Sequence, residues 1–215
     1  MPVDFKKTEK NLYQPNTTPG IVDVPEMVFI AVDGTGDPNT SAAYKSALEI
    51  LYGLSYAIKM GKTGGSAPDG YFEYVVFPLE GLWQSRGGAP DYQNKNDFYW
   101  TSMIRQPAFV TPAVFEGAKT AFTKKKPEID LSGARLIKTT EGLCVQAMHI
   151  GPYDDEPATI ASMEAFAAGN GYSMDLNDAR RHHEIYLSDP RKTAREKLKT
   201  IIRLPVRPVA AGRTN

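Results

Sequence analysis

A strand, a glycine-containing loop, a helix and a second strand occur twice in this chain, in the same order. In the first copy, Met27 to Asp33 (MVFIAVD) is a β-rich run closed by the turn formers Gly34-Thr35-Gly36-Asp37-Pro38. Asn39 or Ser41 then caps a helix whose apolar stripe is Tyr44, Ala47, Leu48, Leu51, Leu54 and Ile58, ending at Gly61 and Gly64-Gly65. Tyr71 to Phe77 (YFEYVVF) reads as the strand that follows. In the second copy, Leu143 to Ile150 (LCVQAMHI) leads into Gly151-Pro152-Tyr153-Asp154-Asp155. A helix starts near Pro157 with Ile160, Met163 and Ala167 on one stripe, Gly169-Asn170-Gly171 closes it, and His183 to Leu187 (HEIYL) is the next strand. Setting FIAVDGTGDP beside QAMHIGPYDD, and FEYVVF beside HEIYLS, brings Glu73 opposite Glu184. The fold expected from this is α+β: tandem duplicated β-α-β-β units with pseudo-twofold symmetry, their two antiparallel sheets forming a central ligand groove. Two unrelated α+β units matching by chance is the alternative.

The remaining segments fit around these copies. Asp97 to Ile104 (DFYWTSMI) reads as a strand after the Gly87-Gly88-Ala89-Pro90 loop. Thr111-Pro112 opens a helix with Pro where no N–H donor is needed, burying Val114, Phe115, Ala118 and Phe122 and ending in a solvated Lys124-Lys125-Lys126 run that suits the helix dipole. Asp189-Pro190 starts a last helix through Ala194 and Leu198, and Ile201 to Val206 is a closing β-rich segment. Residues 1–20 form a lead-in, 21–207 one domain of two repeats (about 21–110 and 134–207), and 208–215 a tail.

Charge and composition exclude several functions. Lys plus Arg equals Asp plus Glu at 25 each, so no basic field recruits nucleic acid or an anionic membrane. One cysteine, Cys144, and three histidines make a thin inventory for a metal centre, and no metal is expected. Neither GTGD nor KTGG fits a dinucleotide fingerprint or a Walker loop, so no cofactor is expected either. The N-terminus has no apolar signal core, and no run approaches the roughly 20 apolar residues that span a bilayer. A cytoplasmic protein follows.

The aromatic residues are clustered. Tyr71, Tyr74, Trp83, Tyr92, Phe98, Tyr99 and Trp100 gather in one stretch, with Tyr153 and Tyr186 at matching places in the other half. They fill a core, or they line a pocket for a flat ligand. Strand alternation puts His182, Glu184 and Tyr186 on one face and His183, Ile185 and Leu187 on the other. If Ile185 and Leu187 face the helix layer, Glu184 projects toward the groove. The same logic groups Tyr71, Glu73 and Val75. A desolvated carboxylate among aromatics suits a base or a cation partner; a solvated carboxylate on an exposed sheet face is the other reading.

The segments VFIAVDGTGDPN, AMHIGPYDDE, HHEIYLSDPRKT and KTIIRLPV, spanning roughly residues 21–207, resemble the GyrI-like small-molecule-binding family. HIGPYD and HEIYLSDP are the most specific parts. The resemblance implies two tandem β-α-β-β units and a site for aromatic or cationic small molecules, with a buried Glu on the strand matching HEIYL. FEYVVFPLEGLW and DFYWTSMIRQP resemble the stand-alone branch that hydrolyses cyclopropanoid genotoxins of the yatakemycin and CC-1065 type. On that resemblance Glu184 is the base that deprotonates water and Tyr71 its partner. Trp100, Tyr99, Trp83, Phe115 and Tyr153 wall the ligand, together with Tyr186, Glu73 and His182. A non-catalytic drug-binding protein and a gyrase-protecting interaction protein are the other implied functions.

Overall fold

The computed structural model describes residues 1–61, 67–86 and 88–209; the expected helix stop at Gly64-Gly65, the KTGG segment, Gly87 and residues 210–215 lie outside them. The first half of the chain supplies β1 (Gly20–Thr35), α3 (Ala42–Met60), β2 (Leu79–Gln84) and β3 (Tyr99–Gln106), preceded by two short helices, α1 (Phe5–Thr8) and α2 (Lys10–Tyr13). After α4 (Pro112–Lys125) come β4 (Arg135–Ile150), α5 (Glu156–Gly169), the short β5 (Tyr172–Met174), β6 (His182–Tyr186) and β7 (Lys199–Pro208).

Helix starts follow their caps. Ser41 Oγ accepts from Tyr44 N at 3.2 Å at the head of α3, and Thr111 Oγ1 accepts from Val114 N at 3.3 Å at the head of α4, with Pro112 in its first turn. Among the described residues no helix is long and apolar enough to cross a membrane.

The strands form one antiparallel sheet in the order β4-β1-β3-β2-β6-β7-β5, and β4 also pairs with β7. That extra pairing closes six strands into a barrel with β5 on its margin, in place of two separate sheets facing a groove. Closure removes the exposed edges that two open sheets would leave. Residues directly opposite in these registers share a face. The row Val32, Ser102, Gly81, Glu184 and Ile202 runs across five strands on the outside, where the helices lie. The adjacent row through Thr101, Leu82, His183, Arg203 and Gln146 faces the lumen.

Helix α3 packs on β1, β3 and α4, whereas α5 packs on β4, β5 and β7. Strands β2 and β6 lie between the two helices, and their outer face is the floor of the site. Two cores result: a large one around Ile30, Leu51, Leu54 and Ile104, and a smaller one around Met163, Ala167, Ile202 and Leu204 under α5.

Three expectations are corrected. Tyr71–Phe77 forms no strand beyond a bridge of Tyr74 to Val3, and the paired strand is Leu79–Gln84 instead. Residues 189–198 form turns and one 3-10 turn (Arg195–Lys197) rather than a helix. Neighbouring β6 and β7 pair from Tyr186 opposite Thr200, so their connection must double back as a hairpin loop. The lead-in is ordered: Leu12 and Tyr13 of α2 are buried, and Arg203 and Gln146 in the lumen donate to the Leu12 and Asn11 carbonyls.

Candidate active site

Glu184 on β6 is 6% exposed, and neighbours on its own strand hold both of its oxygens. His182 Nε2 donates to Oε1 at 3.0 Å, and Tyr186 Oη donates to Oε2 at 2.7 Å. Period-two alternation places all three on one face. That face is the helix side, and Ile185 points into the lumen; the expectation that Ile185 faces the helices is reversed. Trp83 Nε1 donates to Tyr186 Oη at 2.9 Å and fixes the phenol.

A second carboxylate completes the cluster. Glu156, in the first turn of α5, is fully buried, and Tyr92 Oη donates to its Oε2 at 3.2 Å. Its Oε1 has no partner that donates to it. An unpartnered buried carboxylate oxygen is costly, but a protonated one becomes a donor, and Glu184 lies beside it. Burial pushes the Glu156 carboxyl well up, and the charge of Glu184 adds to this. Burial also raises Glu184, but the hydrogen bond and charge of His182, then the bonds from Tyr186 and Glu156, more than offset it and hold Glu184 below its ordinary value. The pair is therefore one carboxylic acid hydrogen-bonded to one carboxylate.

Aromatic rings enclose this pair. Tyr44 of α3 packs 5.1 Å from Trp100, edge to face, and 6.0 Å from Trp83; Phe98 lies 5.5 Å from Trp83, and Tyr153 lies 5.7 Å from Tyr186. Burial raises the phenols of Tyr44, Tyr92, Tyr153 and Tyr186, and the Glu184 charge adds to it in each, so all four stay protonated donors. Tyr44, Tyr153 and Tyr186 remain half-buried.

Glycine shapes the floor. A Cβ on Gly81, directly opposite Glu184, would stand 2.5 Å from Trp83 Nε1. The absence of a side chain lets the indole lie flat over β2 and reach Tyr186. Gly81→Ala is expected to displace Trp83, cost about 1–3 kcal/mol of stability and break the bond to Tyr186. Urea denaturation with tryptophan emission checks this, and an unchanged midpoint would contradict it.

The donor atoms of Glu156, His182 and Glu184 lie within 4.8 Å of one another, close enough to take a divalent cation. The hydrogen bonds from His182, Tyr186 and Tyr92 fit a proton shared by the two carboxyl groups as well.

Residues 17–207 match the sequence pattern of the GyrI-like small molecule binding domain. The chain belongs to the GyrI-like family. It is similar to a Listeria innocua protein described as a hydrolase, with 47% identity and a TM-score of 0.88 over 95% of this chain and 100% of that one. An uncharacterized conserved protein of the same organism shares 49% identity at a TM-score of 0.91, over 95% and 100% of the two chains. The EcmrR C-terminal domain, at 14% identity and a TM-score of 0.52 over 89% and 98%, shares the fold. No curated protein matches.

In this GyrI-like domain the structure gathers Glu184, His182, Tyr186, Trp83, Trp100 and Tyr153 of the expected site residues. Tyr71 sits elsewhere, its hydroxyl donating to the Lys59 carbonyl at 2.9 Å and its ring against Phe109. Glu73 lies outside any strand, and its carbonyl accepts from Val3 N; the residue opposite Glu184 is Gly81, not Glu73. Tyr99 is 38% exposed on the strand face opposite Trp100, and Phe115 is buried on α4 with Lys119 5.5 Å over its ring. Sequence reasoning missed Glu156, Tyr44 and the placement of Tyr92.

Proposed function

We propose that this GyrI-like protein is a hydrolase that opens the cyclopropane ring of flat cyclopropanoid genotoxins of the yatakemycin and CC-1065 type. The observation that carries the reading is the pairing of two buried carboxyl groups, Glu156 and Glu184, among aromatic rings. Family membership and similarity to a Listeria protein described as a hydrolase support it. The substrate class comes from the sequence resemblance of FEYVVFPLEGLW and DFYWTSMIRQP.

Such a ligand carries a strained cyclopropane conjugated to a dienone. In this mechanism the aromatic rings hold the flat ring system, and Glu184 takes a proton from a water aimed at the ring methylene. The water oxygen bonds to that carbon, the carbon–carbon bond breaks, and its electron pair moves through the dienone onto the carbonyl oxygen. Glu156 protonates that oxygen, giving the phenol. Water has then added across one bond, and the proton on Glu184 passes to its neighbour Glu156 to restore the starting pair. Strain release keeps the barrier modest, so one positioned base and one acid suffice. Glu156 takes the acid role because the Tyr71 hydroxyl is already engaged at Lys59. The two repeats are read as products of duplication, since β1, β3 and β2 pair among themselves as β4, β7 and β6 do.

The test is multiple turnover of a duocarmycin-type dienone in 18O-labelled water, with and without EDTA. The expected result is many equivalents of product with one 18O on the new alcohol, unchanged by the chelator. Binding with no turnover would make the protein a sequestering one. Loss under EDTA would transfer the chemistry to a cation held by Glu156, His182 and Glu184.

A further inference from the structure

A cavity lies beside the carboxylate pair. Its volume is about 220 Å³, and Tyr92 and His182, the residues that bond Glu156 and Glu184, form its inner wall. Apolar side chains make up most of the rest: Pro90 from the loop before Tyr92, Pro157 and Ile160 from α5, Leu176 and Leu204. Glu164, one turn further along α5, lines it from an exposed position, and among the described residues no hydrogen bond or ion pair engages its carboxylate.

Resting on the reading above, we propose that this chamber is a second subsite, taking an apolar ring unit of an elongated ligand whose outer end carries a basic group. The volume decides the size of the occupant. Pockets for whole drug-sized ligands run roughly 300–1,000 Å³, so a smaller chamber beside the site takes one part of such a ligand. Its lining decides the chemistry: proline, isoleucine and leucine offer no hydrogen bonds to a polar arm, whereas the Glu164 carboxylate favours a cation at the outer end. The shared wall decides the register. A ligand whose reacting unit lies over Glu184 and Glu156 reaches the chamber past Tyr92 and His182, so the arm and the reacting unit belong to one molecule.

The test uses three ring-opened phenols, which bind without reacting: one capped by a small carbamate, one carrying an indole-2-carboxamide arm, and one whose arm ends in a dimethylaminoethyl group. Affinities come from titration calorimetry on the wild type, on Ala161→Phe and on Glu164→Gln. Ala161 lines the chamber from an exposed face of α5, so a larger side chain fills the cavity without entering the core. In the wild type the arm is expected to tighten binding by roughly ten- to hundredfold, from apolar burial, and the basic group by a further few fold. Ala161→Phe should erase the advantage of the arm and leave the short phenol unaffected. Glu164→Gln should erase only the advantage of the basic group. Equal affinities of the long and short phenols, or an arm advantage that survives Ala161→Phe, would overturn the subsite, and a basic-group advantage that survives Glu164→Gln would overturn its outer half. An arm effect abolished by Ala161→Phe in a protein that hydrolyses no dienone would leave the subsite standing and reject the hydrolase. No binding of any phenol would reject both.

Discussion

Glu184→Gln is expected to slow hydrolysis of a cyclopropanoid dienone by ~10²–10⁴-fold, while affinity for the ring-opened phenol changes by no more than a few fold. Glutamine keeps the shape and accepts the Tyr186 bond, but it cannot take a proton from water. Glu156→Gln should cause a loss of similar size, since it removes both the acid and the group that recovers the proton from Glu184. The double variant should then be little worse than either single one, because the two act as a unit. The pH profile separates their roles. Activity requires Glu184 ionised and Glu156 protonated, so the wild type should show a plateau at neutral pH, an acidic limb below the ordinary carboxylate range and an alkaline limb well above it, each belonging to the pair. Glu156→Gln should lose the alkaline limb. It should also be more stable at neutral pH. The folded Glu156 carboxyl is raised, so its contribution is fully present below the unfolded value and is lost as pH rises toward the folded one, a loss glutamine does not suffer. Retained turnover in Glu184→Gln would sink the base assignment; reduced stability of Glu156→Gln at neutral pH would sink the shared-proton account.

Glu184 was legible because strand alternation is a two-residue rule: HHEIY fixes which side chains share a face before any tertiary contact is known. Which side that face looks toward was not legible, since Ile185 is as well suited to a barrel lumen as to a helix layer. Glu156 was hidden for another reason. An acid in the first turn of a helix is favoured there by the helix dipole alone, so its place in the sequence carries no sign of burial. Only the packing of α5 on β4, β5 and β7 brings it to Glu184. Tyr44 was likewise readable as an apolar-stripe residue of α3, and nothing local distinguishes a stripe residue over a core from one over a site.

The misplaced strand has a physical cause too. YFEYVVF has higher β propensity than LEGLWQ, which contains a glycine and a glutamate. Yet Gly81 is what lets Trp83 lie across β2, and Glu80 is what faces His183 in the lumen, so the features that lower the propensity of the true strand are those that build the site around it. Tyr71–Phe77 instead packs against the N-terminal segment, with Phe77 stacked 4.5 Å from Phe5. A run with strong local preference found a partner in residues that read as a partly ordered lead-in. Barrel closure, a pairing between β4 and β7 across some 60 residues of sequence, leaves no local signature.

Behind the site, on the lumen face of the same strand, His183→Leu is expected to cost about 3–5 kcal/mol of stability and to flatten its pH dependence between neutral pH and pH 9. His183 Nε2 bonds Glu80 Oε2 at 2.9 Å and its Nδ1 bonds both Glu141 oxygens at 3.1 Å, so the ring is a doubly donating cation between the buried Glu80 and the half-buried Glu141. Arg203 stands 3.6 Å from Glu141, and the adjoining lumen cavity of about 40 Å³ belongs to this network rather than to the carboxylate pair outside. Burial alone would lower His183, but the charge and hydrogen bonds of Glu141 and then Glu80 raise it to about 9. Burial would raise Glu141, and His183 followed by Arg203 brings it down to about 2. The His183 contribution is therefore complete below its unfolded value near 6.5 and lost as pH rises through about 9. The Glu141 contribution is complete above about 4.5 and lost as pH falls toward about 2. Without the imidazolium that contribution is absent, so the variant should lose less stability than the wild type as pH rises from 7 to 9. Urea midpoints at pH 5, 7 and 9 for both proteins decide the matter. A variant within 1 kcal/mol of wild type, with the same slope against pH, would mean that the cluster holds β6 by packing and not by charge.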